Sequence, residues 1–321
     1  MNHISQNSLL VQGIKKAGGT IYRLIHGHPK WIDFPVSIQF DTHNYCQLEC
    51  IYCNPQGSFQ INQGTMSLET IKTVLKYFSG YDVDVVSPWM NGDSLLETRM
   101  PTITEMINKY IPSARVDVFT NGVAYNSKHL LIDENIDVIR FTISAVSEEM
   151  YTRIHGKPFL NQVLKTLDWI TYNKLAHQKV ILNFIPTGYN LCELEEWKKV
   201  FAKYEQDIRP IHEGVDQRMS TSAKEGLKFE DALKLSQNPQ IRQLKFYGKP
   251  CVCWHNLSIS WEGKIMQCPI VPYHFNYGKV GEIDILDVWK KRLEIGLDAT
   301  CCKECNLKAP NWREILDKYR K

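Results

Sequence analysis

Between residues 35 and 215 short β-branched or aromatic runs alternate with longer helical patterns, and this alternation restricts the fold more than any other feature. Strands are predicted at Val36–Phe40, Val83–Val86, Arg115–Thr120, Val138–Ser144, Val180–Pro186 and Ile208–Ile211. Among the intervening helices, Ser67 precedes an apolar stripe of Ile71, Val74, Leu75 and Phe78, with Glu69 in the first turn. Thr104–Ile111 and Phe159–Asn173 repeat the period. Strand-helix repeats of this kind bury both faces of a parallel sheet. Six of them make a partial barrel or a doubly wound sheet, and in either case ligands bind beyond the carboxyl ends of the strands.

The rest of the chain divides by composition. Residues 216–249 are polar and irregular and read as a linker, and 250–321 as a smaller second domain. In that tail Leu257, Ile259 and Trp261 alternate with Ser258 and Ser260, Glu262-Gly263 supplies a turn, and Ile265 resumes, predicting a β-hairpin. Leu286–Ile295 follows as a short amphipathic helix. Residues 1–34 hold Lys15, Lys16, Arg23 and Lys30 against Asp33, the whole net charge of +3. They form a basic extension, either solvated or a lid or docking segment. The remainder is neutral and shows no basic stripe for a phosphate backbone, which argues against nucleic acid as a partner. No run approaches the roughly 18 apolar residues of a membrane span, and the N-terminus lacks a secretory core, so a cytoplasmic protein is expected.

Ten cysteines, at 46, 50, 53, 192, 251, 253, 268, 301, 302 and 305, are unusual for such a chain. Where thiols are kept reduced, clustered cysteines indicate metal or redox sites before disulfides. Cys46, Cys50 and Cys53 form a C-x3-C-x2-C loop directly after the first predicted strand. Structural zinc takes four ligands, and His43 is the only local candidate for the fourth. Three thiolates leave one iron of a [4Fe-4S] cube open for a substrate or cofactor.

This loop, at this place in a βα repeat, resembles the cluster loop of the radical S-adenosylmethionine (SAM) superfamily. The resemblance implies a partial parallel (β/α)6 barrel over 35–215, a [4Fe-4S] cluster on Cys46, Cys50 and Cys53, and SAM on the unique iron. It further implies reductive cleavage of SAM to a 5′-deoxyadenosyl radical that abstracts hydrogen from a substrate. Asn91-Gly92-Asp93-Ser94 resembles the family's Gly-Gly-Glu-Pro motif, which holds the SAM ammonium, with Asn for the first Gly, Asp for Glu and Ser for Pro. Thr120-Asn121-Gly122 resembles its Thr-Asn-Gly segment. Ser144 stands where relatives place a polar group near the ribose, and Tyr52 is similar to the residue whose backbone meets the adenine. Arg153, in MYTRIHG, is similar to the cation that pairs with the SAM carboxylate.

The distal cysteines read C-x9-G-x4-C then C-x2-C: Cys253, Gly263, Cys268, Cys302 and Cys305. This pattern resembles the twitch domain, a half-size form of the SPASM domain, and implies a cysteine-rich α+β unit holding one auxiliary [4Fe-4S] cluster. Cys251 can replace Cys253, Cys301 can replace Cys302, and zinc accepts the same pairing. Cys192 is expected to be a buried or bystander thiol. Asn183, His212, Glu213, Asp216 and Arg218 are placed near strand ends, where they either face a polar substrate or line surface loops.

Three functions follow from the resemblance and its alternatives. The first is a radical SAM oxidoreductase acting on a small polar metabolite, with a low-potential donor such as flavodoxin or ferredoxin. The second is a maturase acting on a peptide or protein, disfavoured because 34 extra residues are short for a recognition domain. The third is a non-enzymatic zinc-stabilised binding protein.

Overall fold

A computed structural model of the chain describes residues 21–53, 63–209, 250–251, 253–269, 276–297 and 311–319. Six parallel strands come first: β1 (Ser37–Phe40), β2 (Val85–Ser87), β3 (Arg115–Thr120), β4 (Val138–Thr142), β5 (Lys179–Phe184) and β6 (Glu205–Ile208). Helices α1 (Leu68–Tyr77), α2 (Met100–Tyr110), α3 (Glu148–His155), α4 (Leu160–Asn173) and α5 (Leu194–Val200) lie between them. The strand order runs β6-β5-β4-β3-β2-β1 without a reversal. A doubly wound sheet reverses at a switch point, whereas this order winds one way, so right-handed crossovers set every helix on the same face. The result is a partial barrel.

Register sorts the side chains between the two faces. Ile38, Val86, Val118, Ile139, Phe141 and Leu182 pack with Ile71, Leu75, Ile103, Ile107, Val163 and Leu167 of the helices in one buried cluster. The alternate positions are mostly polar: Gln39 pairs with Ser87, Thr142 with Asn183 and Asn183 with Asp207, while Arg140 lies between Phe119 and Ile181. One apolar face turned to the helices therefore leaves a polar concave face. Local signals agree with this placement: Ser67 caps α1 by accepting from the Thr70 amide, a contact worth about 1 kcal/mol.

Beyond β6 the chain departs from its sequence reading. The sixth strand lies at Glu205–Ile208, not Ile208–Ile211, because EQDI is an edge strand whose polar residues carry no hydrophobic signal. The predicted hairpin is present as β7 (Asn256–Ile259) and β8 (Lys264–Met266), antiparallel, with Gly263 at φ +77° in the turn. It is not an isolated sheet. All four residues of β7 pair in parallel with β1, and β9 (Asn276–Lys279) follows β8, giving a nine-stranded sheet. Helices α6 (Ile285–Ile295) and α7 (Trp312–Asp317) complete the described residues. Trp289 of α6 donates its indole N–H to the Trp31 carbonyl, and Trp254, Trp312 and Leu316 share a second apolar cluster with Trp31 and Phe34. Among the described residues no helix is long and apolar enough to cross a membrane.

Candidate functional site

The first cysteine group sits beyond the carboxyl end of β1, where a parallel sheet presents its loops. Helix α3 holds this loop. Its last carbonyls lack intrahelical partners, and the loop fills them: the Glu49 amide donates to His155 O at 3.1 Å and the Ile51 amide to Ile154 O at 2.9 Å. Lys157 adds a bond to Gln47 O at 2.9 Å and an ion pair to Glu49 at 3.2 Å. Gly156 ends the helix in the left-handed conformation at φ +82°, where a Cβ would lie 2.9 Å from the Glu49 carbonyl.

Cys46 and Cys50 are half-buried and Cys53 is exposed. Burial pushes the Cys46 thiol up to about 12 and the Cys50 thiol well above its ordinary value. Metal ligation removes such protons outright. Donors already face the sulfurs: Asn121 Nδ2 stands 3.5 Å from Cys46 Sγ and His155 Nδ1 3.2 Å from Cys50 Sγ. Among the described residues no three His, Cys, Asp or Glu side chains converge as ligands of one ion. A cube asks for a different spacing, because each thiolate takes its own iron. His43 Nδ1 accepts the Tyr45 amide at 3.0 Å, and burial lowers its pKa.

Asn91-Gly92-Asp93 follows β2 and packs onto the same loop. Asp93 is 3% exposed, and its carboxylate accepts from the Asn121 amide at 2.6 Å, the Leu95 amide at 3.0 Å and Thr120 Oγ1 at 3.1 Å. Burial raises its pKa to about 6 against these bonds. Gly92 is required by close approach, since a Cβ would stand 2.6 Å from the His43 carbonyl. Asn91 turns to the fully buried Asp41, donating its amide at 2.6 Å and Nδ2 at 3.0 Å. Asn121 links this group to the cysteine loop through Cys46 Sγ and Gln47 Oε1.

Tyr52, Ser144 and His155 make a second group. Ser144 lies just past β4, donates its amide to His155 Nε2 at 3.2 Å and accepts the Ile185 amide on Oγ. The Tyr52 hydroxyl is 3.3 Å from His155 Nδ1. Burial pushes the His155 imidazole down to about 3. Arg153 stands apart: it is exposed, with its guanidinium 3.8 Å over the Tyr189 ring. Among the described residues Gln47 Nε2, Ser94 Oγ and Tyr151 OH are buried without a hydrogen-bond partner, as a site built for a polar ligand requires.

These placements meet a family match. Residues 41–200 match the radical SAM superfamily model. The chain is a member of the radical SAM superfamily over this span. An uncharacterized protein of Methanocaldococcus jannaschii is 28% identical over 206 residues, 62% of this chain and 63% of its own. The S-adenosyl-L-methionine-dependent 2-deoxy-scyllo-inosamine dehydrogenase of Niallia circulans is 26% identical over 108 residues, 33% of this chain and 43% of its own. The chain thus spans less than two thirds of either relative. The structure of anSMEcpe with bound AdoMet and a peptide superposes with a TM-score of 0.60 at 12% identity, over 83% of this chain and 85% of that one, a likeness of fold.

Of the sequence-predicted residues, the radical SAM fold brings Cys46, Asp93, Thr120 and Asn121 together, and Cys50, Tyr52 and Ser144 together, and leaves Arg153 outside both. Cys253 and Cys268 flank the open end of the β7–β8 hairpin, with Cys251 half-buried beside them. Cys301, Cys302, Cys305, His212, Glu213, Asp216 and Arg218 lie outside the described residues, as do residues 216–249. Of the two expectations for Cys192, buried or bystander, burial does not hold: it is exposed, its thiol bonded to the Tyr189 carbonyl at 3.3 Å, on a short 3-10 turn. Asn183 is buried on the concave face, and neither Oδ1 nor Nδ2 has a partner among the described residues. Sequence reasoning missed Asp41 and His155. The His-Gly pair that ends α3 is a helix-stop signal that could have drawn attention to the second.

Proposed function

We propose that this protein is a radical SAM oxidoreductase that acts on a small polar metabolite. The observation that carries the reading is the union of three cysteines on one anchored loop with the buried Asp93 carboxylate, bridged by Asn121. Cys46, Cys50 and Cys53 would hold the [4Fe-4S] cluster, which when bound supplies the electron for reductive SAM cleavage. The residues of the chain do the rest. Asp93 and the Asn91-Gly92 backbone receive the SAM ammonium, the charge partner that offsets a carboxylate buried among neutral donors. Arg153, which makes no ion pair among the described residues, is available to the SAM carboxylate. Tyr52 and Ser144 line the adenosine side. The polar concave face, with Asn183 unsatisfied, receives a hydroxylated or charged substrate.

Cys253, Cys268, Cys302 and Cys305 are proposed to hold one auxiliary cluster. A cluster held there would supply an acceptor for a second electron, as a product two electrons more oxidised would require. A dehydrogenase among the relatives favours this reading. The second reading, a peptide maturase, is favoured by the peptide beside AdoMet in a protein of like fold. Flavodoxin or ferredoxin is the proposed source of the first electron.

The test is anaerobic reconstitution with iron and sulfide, followed by reduction and assay of 5′-deoxyadenosine release from SAM. The wild type is expected to bind about eight irons and the Cys46, Cys50, Cys53 triple Ala variant about four, with release lost. About four irons in the wild type, with zinc at the distal cysteines, would remove the auxiliary cluster. No SAM cleavage by the wild type would overturn the reading.

A further inference from the structure

We propose that His155 is a positioning residue for the first cysteine group, donating its Nδ1–H to Cys50 Sγ and so raising the reduction potential of a cluster held there. The inference rests on the reading of Cys46, Cys50 and Cys53 as cluster ligands. A backbone amide can only donate, and the Ser144 amide reaches His155 Nε2 at 3.2 Å. Nε2 therefore offers its lone pair and carries no proton, which leaves the ring proton on Nδ1. Nδ1 faces two atoms, Cys50 Sγ at 3.2 Å and the Tyr52 hydroxyl at 3.3 Å. A thiolate accepts only, while a hydroxyl both accepts and donates, so the sulfur is served by the Nδ1 proton and left able to accept from Tyr52 as well.

The ring has no freedom to turn away. It is fully buried and stacked on Tyr151 with centroids 4.3 Å apart. Its backbone carbonyl holds the Glu49 amide, so one residue grips the cysteine loop through main chain and side chain together. Ser144 is itself fixed: its carbonyl accepts from Asn190 Nδ2 at 2.7 Å and its Oγ from the Ile185 amide at 3.1 Å. The proton thus reaches Cys50 from a chain that begins on β4 and β5 and does not depend on the loop.

An added electron increases the negative charge on the thiolates, and an N–H directed at sulfur stabilises that reduced state; hydrogen bonds to ligand sulfurs are among the levers that set iron-sulfur potentials. The decisive experiment is an EPR-monitored redox titration of the SAM-responsive signal in the full reconstituted chain, comparing wild type, His155→Leu and His155→Gln. His155→Leu should keep its iron and lower the equilibrium constant for reduction by about tenfold, about 59 mV for a one-electron couple. His155→Gln, whose amide can still donate, should recover part of the shift. An unchanged potential in His155→Leu with iron retained overturns the proposal. Should the Leu variant fail to fold, wild type grown on 15N-histidine decides: modulation of the reduced-cluster electron spin echo by a 15N–H hydrogen-bonded to the cluster's cysteine sulfur is expected, and its absence overturns the proposal. Iron content of the wild type tests the underlying ligand reading separately.

Discussion

The two cysteine regions of this chain stand at opposite ends of the same sheet. Cys46, Cys50 and Cys53 follow the carboxyl end of β1, whereas Cys253 precedes β7, whose Asn256 is in register with Ser37 at the amino end of β1. Four residues of strand, about 13 Å at about 3.3 Å each, separate the two levels. The proximal loop is tied into the barrel by helix α3, Asn121 and His155. The distal pair, Cys253 and Cys268, flanks a hairpin. The difference teaches that the barrel itself organises the first loop, as the proposed open iron would need, whereas the second pair depends on its own turn, as the proposed auxiliary cluster would allow.

That contrast can be broken by substitution. The largest effect expected is from Cys50→Ala, which should abolish 5′-deoxyadenosine release, while Cys268→Ala keeps measurable SAM cleavage but loses about half the iron; equal loss in both would erase the distinction. Next is Asp93→Asn, expected to weaken SAM binding by about tenfold to a hundredfold, on the order of 1.4 to 3 kcal/mol, by calorimetry. The same carboxyl gives a pH test. Its folded pKa of about 6 lies above the ordinary value of 3.8, so the fold binds the extra proton between those values. Stability should then fall as pH rises through this window, by at most about 3 kcal/mol, and urea unfolding of Asp93→Asn should lack that slope. Gly92→Ala should cost about 1 to 3 kcal/mol, because the new Cβ meets the His43 carbonyl, a backbone atom that cannot move aside cheaply. Smallest is Gly263→Ala in the distal hairpin, about 1 kcal/mol from the positive φ, with Thr70 Cγ2 3.3 Å away. Thermal denaturation with iron analysis would show whether it also loosens the distal pair.

What was legible in the sequence follows from what each signal depends on. Strands β1 to β5 declared themselves because each is a β-branched run buried against helices; β6, an edge strand of Glu, Gln and Asp with one Ile, gave no apolar pattern. The hairpin was visible in its Gly263 turn, but the pairing of β7 with β1 was not, since a free strand edge has no sequence mark. The cysteine loop and the Asn-Gly-Asp and Thr-Asn-Gly segments were readable because their residue types are the chemistry. Asp41 and His155 were not, because a buried polar group acquires its role from a partner 50 or 105 positions away. Arg153 was read for its charge, yet its place over Tyr189 shows that the same helix serves the site chiefly through its last two residues.

The junction of β1 with β7 also has a consequence for synthesis. Ser37 pairs with Asn256 across most of the length of the chain, so the strand that launches the cysteine loop leaves the ribosome long before its outer neighbour exists. Until then β1 presents an unpaired edge, with its carbonyls and amides open to any passing strand. Contacts of such long range form late and slowly. The Asp41 amide, which bonds the Ile259 carbonyl, is among the last to find its acceptor, so the foundation beneath the first three cysteines is finished only when the C-terminal segment arrives. Production yield should therefore depend on chaperone supply and low temperature more than the modest size of the chain suggests.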